Sequence, residues 1–573
     1  MAEPKTAALF FHDDGYDTTD REIVGRRMAG KSFLKAVALY EPTAQLSICA
    51  VSRQQFARFE ALLRPLLKGR KDGPRLLEYV KLARVDKLAA IGNIFRPDPA
   101  LEPMALMRRR VGATAFSITG VTHTLCSVAT QGVLAQQVVA PFESWDALIC
   151  TSQAARRAIE KMHEAQAQYL AERLGTDPNL KARLQLPVIP LGVHCEDFAT
   201  DTQPMQMTRG LTRRKYGIGQ QDLCFLFVGR LNHMSKANPV PMLRALQRAA
   251  EQTRRRLHLL QAGIFLTPQI EELYRAAVQR HAPDVQCHFI DGKDDAAVSA
   301  ARAAADVFTS LADNLQETFG LTPVEAMASG LPSVVSDWNG YRETVRDGID
   351  GILVPTTMTP AGYGEELAMR HALGTDDYRR FVGAAALNVA VDESAAAAAY
   401  VALIQNPGLR HRMSEAGRKR AQETFSWQHV YPLYRALWGE LDERRRRAAK
   451  QPRRLPIMPA HLDPFDAYSH FATRSFGPTT EVALIPGVGI GAWREMVQEP
   501  LLSMGAGTPM PLGDLEAIYG QLAAGPTGVK ALSELFPQER REQAVRAISW
   551  LLKADLVQLV NPIANQDRAE PFV

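Results

Sequence analysis

Glu317-Thr-Phe-Gly-Leu-Thr-Pro-Val-Glu325-Ala-Met-Ala-Ser-Gly330-Leu-Pro-Ser-Val-Val335 decides how this chain is read. The order is loop, helix, tight stop, buried strand. Thr322 is placed to cap the helix, Pro323 suits its first position, and Gly330 suits a left-handed residue past its end. Leu331 to Val335 is a short apolar run of the parallel-strand kind. A helix N-terminus presents unpaired N–H groups and the positive end of a dipole, which favours a phosphate. Carboxylates repel phosphate but accept hydrogen bonds from hydroxyls, and Glu317 and Glu325 flank the anion site. The combination fits a polyhydroxylated phosphate ester such as a nucleotide sugar. By spacing alone it equally fits a surface helix with two solvated glutamates.

The surrounding chain alternates strand-like and helix-like segments. Candidate strands fall at Ala7–Phe11, Gln45–Val51, Val111–Phe116, Ala147–Thr151 and Pro187–Leu191, then at Cys224–Val228, His258–Ala262, Gln286–Ile290, Val307–Ser310 and Ser333–Ser336. This pattern predicts an α/β chain with two doubly wound domains, residues 1–200 and 201–443, whose ligands bind beyond the carboxyl ends of the strands. Arg444-Arg-Arg-Arg447-Ala-Ala-Lys450-Gln-Pro-Arg453-Arg454 then reads as a self-repelling basic linker, 444–456. The same run could also hold an anionic membrane surface. Residues 457–573 suggest a small, mostly α, winged-helix-like module with helices near Leu515–Ala524, Val529–Phe536 and Glu539–Ala554 and a strand at Leu556–Val560. From Pro456 onward there are 8 Lys/Arg against 13 Asp/Glu, a net of −5. That balance argues against nucleic acid as a partner.

Composition sets the outer bounds. At 573 residues, 46% hydrophobic and 23% charged, the chain has the makeup of a large globular enzyme with several domains. Its six cysteines have no close pair, which speaks against a zinc site or disulfide framework and for a reducing compartment. No leader and no membrane-length apolar run is visible, so a cytoplasmic location is expected, with peripheral contact at the inner face of the membrane through Arg444–Arg454 as its extension. Two motifs are expected to be false. Gly25-Arg-Arg-Met-Ala-Gly-Lys-Ser32 matches a P-loop in letters but does not follow a buried strand directly. Gly487-Val-Gly-Ile-Gly-Ala492 matches a dinucleotide fingerprint but reads as a turn.

The central segment, with Gly340, Glu343 and Gly348-Ile-Asp-Gly-Ile-Leu-Val-Pro355 after it, resembles the donor-binding signature of retaining GT-B glycosyltransferases of family 4. Trp145–Ser152, Val188–Phe198, Cys224–Leu231 and Phe425-Ser-Trp427 resemble other parts of that family in the same order, so the resemblance spans roughly residues 5 to 440. It implies two Rossmann-like domains facing a cleft, a final helix crossing back to the first domain, and sugar transfer from a nucleotide-diphosphate donor with retained anomeric configuration. It implies no metal and no other cofactor. Arg230 and Lys236 would stabilise the leaving diphosphate, although one extra residue separates them compared with the family's spacing. Glu317 would contact the donor sugar and Glu325 the ribose. Gly229 and the backbone of Phe319, Gly320, Leu321 and Thr322 would cradle the donor. His123 would stand at the anomeric carbon, and Gly15, Gly25 and Asp14 are acceptor-side candidates, although the family's usual double glycine is absent. Glycan, lipid-linked and other acceptors stay open. The alternative is a non-catalytic nucleotide-sugar-binding scaffold acting through its C-terminal module.

Overall fold

The computed structural model describes residues 5–16, 25–70, 72–175, 180–449, 462–502, 509–561 and 563–564. Apolar runs, buried on both faces in the central strands, give two all-parallel sheets. The first contains β1 (Ala8–Phe10), β2 (Gln45–Ala50), β3 (Leu76–Lys81), β4 (Asn93–Arg96), β5 (Ser117–Val121) and β6 (Ala147–Ile149), in the order β3-β2-β1-β4-β5-β6. The second contains β7 (Leu223–Val228), β8 (Leu257–Gly263), β9 (Val285–Asp291), β10 (Val307–Ser310), β11 (Ser333–Ser336) and β12 (Gly351–Val354), in the order β12-β11-β10-β7-β8-β9. Each is doubly wound. The strand order reverses between β1 and β4 in one sheet and between β7 and β10 in the other, and crevices open at such switch points.

Several sequence expectations shift. Val111–Phe116 is a turn, and the strand follows at Ser117–Val121. Pro187–Leu191 forms only an isolated bridge to Cys150. The helix of the central segment runs Leu321–Ala328, and its cap is Gly320 at φ +96°. Thr322 therefore lies inside the first turn and Pro323 is the third helical residue, not the first. Gly330 does adopt the left-handed conformation, at φ +72°.

The last long helix, Trp427–Arg447, packs Trp427, Val430, Tyr431, Tyr434, Leu437, Trp438 and Leu441 into the core of the first sheet. Trp427 Nε1 donates to Ser32 Oγ at 2.7 Å, and the Tyr431 hydroxyl donates to Glu41 Oε2 at 2.7 Å. The basic run is not all linker, because Arg444–Arg447 form this helix's last turn. Arg445 turns inward, donating to the Thr114 and Ala115 carbonyls and pairing with Asp442. Lys450, Arg453 and Arg454 lie outside the described residues. The P-loop look-alike Gly25–Ser32 is wholly helical, within Gly25–Tyr40. A Cβ on Gly30 would stand 1.7 Å from the Gly15 carbonyl, so glycine there lets helix and loop touch.

Contacts divide the chain into residues 1–458 and 459–573. In the second unit β16 (Glu481–Leu484) lies between β17 (Thr527–Gly528) and β18 (Val557–Val560), antiparallel to both, and a shorter pair joins β15 (Arg474–Ser475) to β19 (Ile563–Ala564). Helices Leu512–Ala523, Val529–Glu534 and Arg541–Lys553 pack on Trp493 and Val482. Gly487 is a turn at φ +88° and the helix Ile490–Val497 follows it. Both neighbours of β16 run antiparallel to it, so no βαβ unit forms there.

Candidate functional site

The switch point of the second sheet is lined by the exits of β7 and β10. β7 ends in Gly229-Arg230. Gly229, at φ +155°, lies against the Lys236 stem, where a Cβ would come within 3.0 Å. A Cβ on Gly263 would be 1.9 Å from the Gly229 carbonyl, and one on Gly292 would be 2.8 Å from Gly263, so the exits of β7, β8 and β9 meet backbone to backbone. Arg230 Nη2 donates to the Ser235 carbonyl at 3.3 Å. Lys236 Nζ pairs with Glu317 Oε2 at 2.5 Å, and both side chains are about 15% exposed, at 15% and 16%. Burial works against the ammonium, but the Glu317 carboxylate outweighs it and raises its proton affinity. The loop then turns at Gly320 against the ring of Tyr341, whose hydroxyl shares a 2.9 Å hydrogen bond with Ser310 Oγ.

Glu325 lies elsewhere. Its Oε2 accepts from Arg302 Nη2 at 2.9 Å, and the Arg302 guanidinium stacks over Phe198 at 4.9 Å. Phe319 is buried edge-on against Phe425 at 5.9 Å, so its backbone rather than its ring remains for a ligand. Leu321 and Thr322 are partly buried in the helix's first turn.

On the first sheet, β5 leads directly into His123. Burial pushes its imidazole down to about 4, despite Asp98 and a hydrogen bond with Pro97 that act the other way; Arg26 adds to the lowering. Gly15 lies against that same Pro97, where a Cβ would come within 2.5 Å. Gly25 opens its helix on the surface with open space around it, next to Arg26. Asp14 belongs to the short helix Asp13–Tyr16, and its side chain lies outside the described residues.

Thr318 joins the two halves. Its Oγ1 donates to the His123 carbonyl at 2.9 Å, and its own carbonyl accepts from Ser152 Oγ at 2.6 Å. Nearby, the Gln153 and Ala154 amides that open the Gln153–Leu174 helix donate to Glu343 at 2.7 and 2.9 Å. Thr318 thus ties the His123 backbone to the loop that carries Glu317 and Gly320, and Glu317 pairs with Lys236 beyond the exit of β7. Glu325 points to Arg302 behind the helix.

Thr318, Ser152 and Tyr378 were not singled out as site residues from sequence. The Tyr378 hydroxyl lies 3.6 Å from Cys126 Sγ, three residues past His123. The only sequence signal for Thr318 and Ser152 is their place beside Glu317 and at the end of β6. Tyr378 carries none. Among the described residues no group of three or more His, Cys, Asp or Glu side chains is arranged to hold a metal ion, and no helix is long and apolar enough to cross a membrane. The six cysteines are all unpaired.

Two doubly wound sheets with a cationic crevice at the second switch point, closed by a helix N-terminus, define the GT-B class. Residues 208–368, within the second sheet domain, match the model of Glycosyl transferases group 1. The chain is 29% identical over 248 residues to a D-inositol 3-phosphate glycosyltransferase of Geodermatophilus obscurus, covering 40% of this chain and 50% of that one. It is 34% identical over 143 residues to a phosphatidyl-myo-inositol mannosyltransferase of Mycobacterium leprae, covering 25% of this chain and 28% of that one. The matches therefore span half or less of these relatives. Among solved structures, Anabaena HepE in complex with UDP superposes with a TM-score of 0.49 at 15% identity, covering 76% of this chain and 100% of that one.

Proposed function

We propose that the chain transfers a sugar from a nucleotide-diphosphate donor to a hydroxyl acceptor, with retention and without a metal. The Lys236–Glu317 pair beside Arg230 at the β7–β10 switch point carries this reading. Two fixed cations there would neutralise charge as the diphosphate leaves, a stabilisation that a bound metal ion could otherwise supply. Glu317 would accept from the sugar hydroxyls and Glu325, turning from Arg302, from the ribose. His123, held neutral at physiological pH, would hydrogen-bond near the anomeric carbon rather than present a charge. Inositol-bearing molecules are the first acceptors to assay, given the names of the relatives.

The test is thermal unfolding of the chain with UDP, GDP, ADP, TDP and CMP, alongside Arg230→Ala. Ligand at about 100 times its dissociation constant stabilises by about 2.7 kcal/mol. One nucleotide should raise the midpoint in wild type and far less in the variant. No shift with any nucleotide would overturn the donor-site reading. Activity lost in excess chelator and restored by magnesium or manganese would overturn the metal-free mechanism.

A further inference from the structure

The exits of β5 and β6 are stitched together where they meet the second sheet domain. The Thr122 amide donates to the Ile149 carbonyl at 2.9 Å, and the Thr151 amide donates to Thr122 Oγ1 at 3.2 Å. Ser152, the next residue, accepts from the Ala155 amide at 3.0 Å as the cap of the Gln153–Leu174 helix. Its own proton goes to the Thr318 carbonyl at 2.6 Å. Thr318 Oγ1 in turn donates to the carbonyl of His123, the residue after Thr122, at 2.9 Å. Covalent and hydrogen bonds thus close a ring through Thr122, Thr151, Ser152, Thr318 and His123. Thr122, Thr151, Ser152 and Thr318 are buried, and hydrogen bonds shielded from water hold their geometry more firmly than exposed ones.

The loop that supplies Thr318 is anchored inside the second domain without help from the threonine side chain. Glu317, one residue before, pairs with Lys236 at 2.5 Å. Phe319, one residue after, packs on Phe425, and a Cβ on Gly340 would stand 2.5 Å from the Thr318 carbonyl oxygen. Further back, Asn314 Nδ2 donates to the Met234 carbonyl at 2.6 Å. It also reaches the Val382 carbonyl at 3.4 Å, in the helix Tyr378–Ala386 that lies between β13 (Thr356–Met358) and β14 (Val389–Val391) of an antiparallel ribbon. The Thr318 hydroxyl therefore has a separate task. It reaches out of its own domain to the backbone of His123, while the peptide it stands on carries Glu317.

We propose that Thr318 is a positioning residue for sugar transfer, its hydroxyl setting His123 of the first domain against Glu317 of the second. The proposal rests on the transferase reading above. The hydroxyl touches backbone only, so it acts through its neighbours and leaves nucleotide affinity to Arg230 and Lys236. A displacement of about 1 Å between reacting groups can cost about 10²-fold in rate.

Thr318→Val keeps the shape and loses the hydroxyl, whereas Thr318→Ser keeps the hydroxyl. Both are compared with wild type and Arg230→Ala in calorimetric binding of UDP, GDP and ADP. The same proteins are assayed for nucleoside diphosphate release from UDP-glucose, GDP-mannose and ADP-glucose in the presence of myo-inositol. Thr318→Val should lower kcat about tenfold or more while nucleotide Kd stays within about twofold, and Thr318→Ser should stay within about threefold of wild type in both. In a histidine NMR titration the His123 signal, identified by its loss in His123→Gln, should move from about 4 toward the ordinary 6.5 in Thr318→Val, as the freed loop admits water. Unchanged kcat in Thr318→Val, or a His123 signal that stays in place, would overturn this inference alone. So would equal losses in the Val and Ser variants, which would make shape rather than the hydroxyl decisive, or a fall in nucleotide affinity as large as that in kcat. Absence of nucleotide binding or of turnover in wild type, or binding unchanged in Arg230→Ala, would overturn the transferase reading and this inference with it.

Discussion

Replacing Lys236 with Met while keeping Glu317 tests whether the ion pair at the crevice is a coupled unit. Both partners are largely buried, at 15% and 16% exposure, and meet at 2.5 Å. Breaking a fully buried pair from one side costs about 3–5 kcal/mol because the remaining charge is stranded. Partial water access lowers this, so about 2–3 kcal/mol is expected for Lys236→Met. Glu317→Gln leaves an amide oxygen to accept from the ammonium and should cost about 1–2 kcal/mol. The double variant strands no charge, so its loss should fall short of the sum by about 1–2 kcal/mol. For a domain of this size each kcal/mol moves the midpoint by about 2–4 °C. Four proteins scanned in parallel by calorimetry at pH 7 would read this. The pH choice follows from the sign. The Lys236 ammonium is raised above its ordinary 10.5, so its contribution is complete below that value and fades only in stronger alkali. Losses that simply add would mean that the two groups are solvated independently, and the crevice would lose its coupled electrostatics.

Gly320→Ala should destabilise the chain by about 2–4 kcal/mol in urea titrations, since φ is +96° and the new methyl would meet the buried Tyr341 ring within 2.5 Å. A loss below about 1 kcal/mol would show that the ring yields. Burial raises the Asp313 carboxyl to about 7, against the Asn238 amide that lowers it. The folded state then keeps a proton that the unfolded chain gives up, and stability drains away as pH rises from about 4 toward 7. Asp313→Asn should therefore gain about 2–4 kcal/mol on wild type between pH 5 and pH 8, and parallel midpoint curves would contradict the assignment. Glu343→Gln keeps an acceptor for only one of the Gln153 and Ala154 amides, turns an NH2 group toward the other and removes the charge at that helix N-terminus, so the calorimetric midpoint should fall by the equivalent of about 2 kcal/mol, more at low salt than at high. A salt-independent change would point to packing instead.

The long apolar strands were legible because parallel strands covered on both faces leave nearly continuous hydrophobic runs. Leu257–Gly263 and Val307–Ser310 are of this kind. Strand β3 escapes the pattern because Leu76-Leu-Glu-Tyr-Val-Lys81 lies at the sheet edge with a polar face, and β4 because only Ile94 and Phe95 of Asn93-Ile-Phe-Arg96 are apolar. Side-chain chemistry favours Thr322 as a cap, but the backbone reverses two residues earlier at Gly320, and conformational freedom wins over hydrogen-bonding capacity. Of the site, Glu317 is readable from its place before a helix N-terminus, whereas Arg230 and Lys236 follow only from the resemblance to family signatures. Thr318 reaching His123 across 195 residues of chain, or Tyr378 reaching Cys126 across 252, leaves no local pattern to read.

The helix Trp427–Arg447 also has a consequence during synthesis. Domains generally fold as units as they leave the ribosome. Here seven residues of the first sheet's core come from beyond residue 426, so that sheet cannot complete its own interior when its strands emerge. For the time needed to translate nearly three hundred further residues, the faces of Phe33 and Phe95 that later meet Trp427, Tyr434 and Trp438 have no partner. The nascent first domain therefore exposes apolar surface until Trp427–Leu441 is made, and a truncation upstream of Trp427 is expected to aggregate although all six of its strands are present.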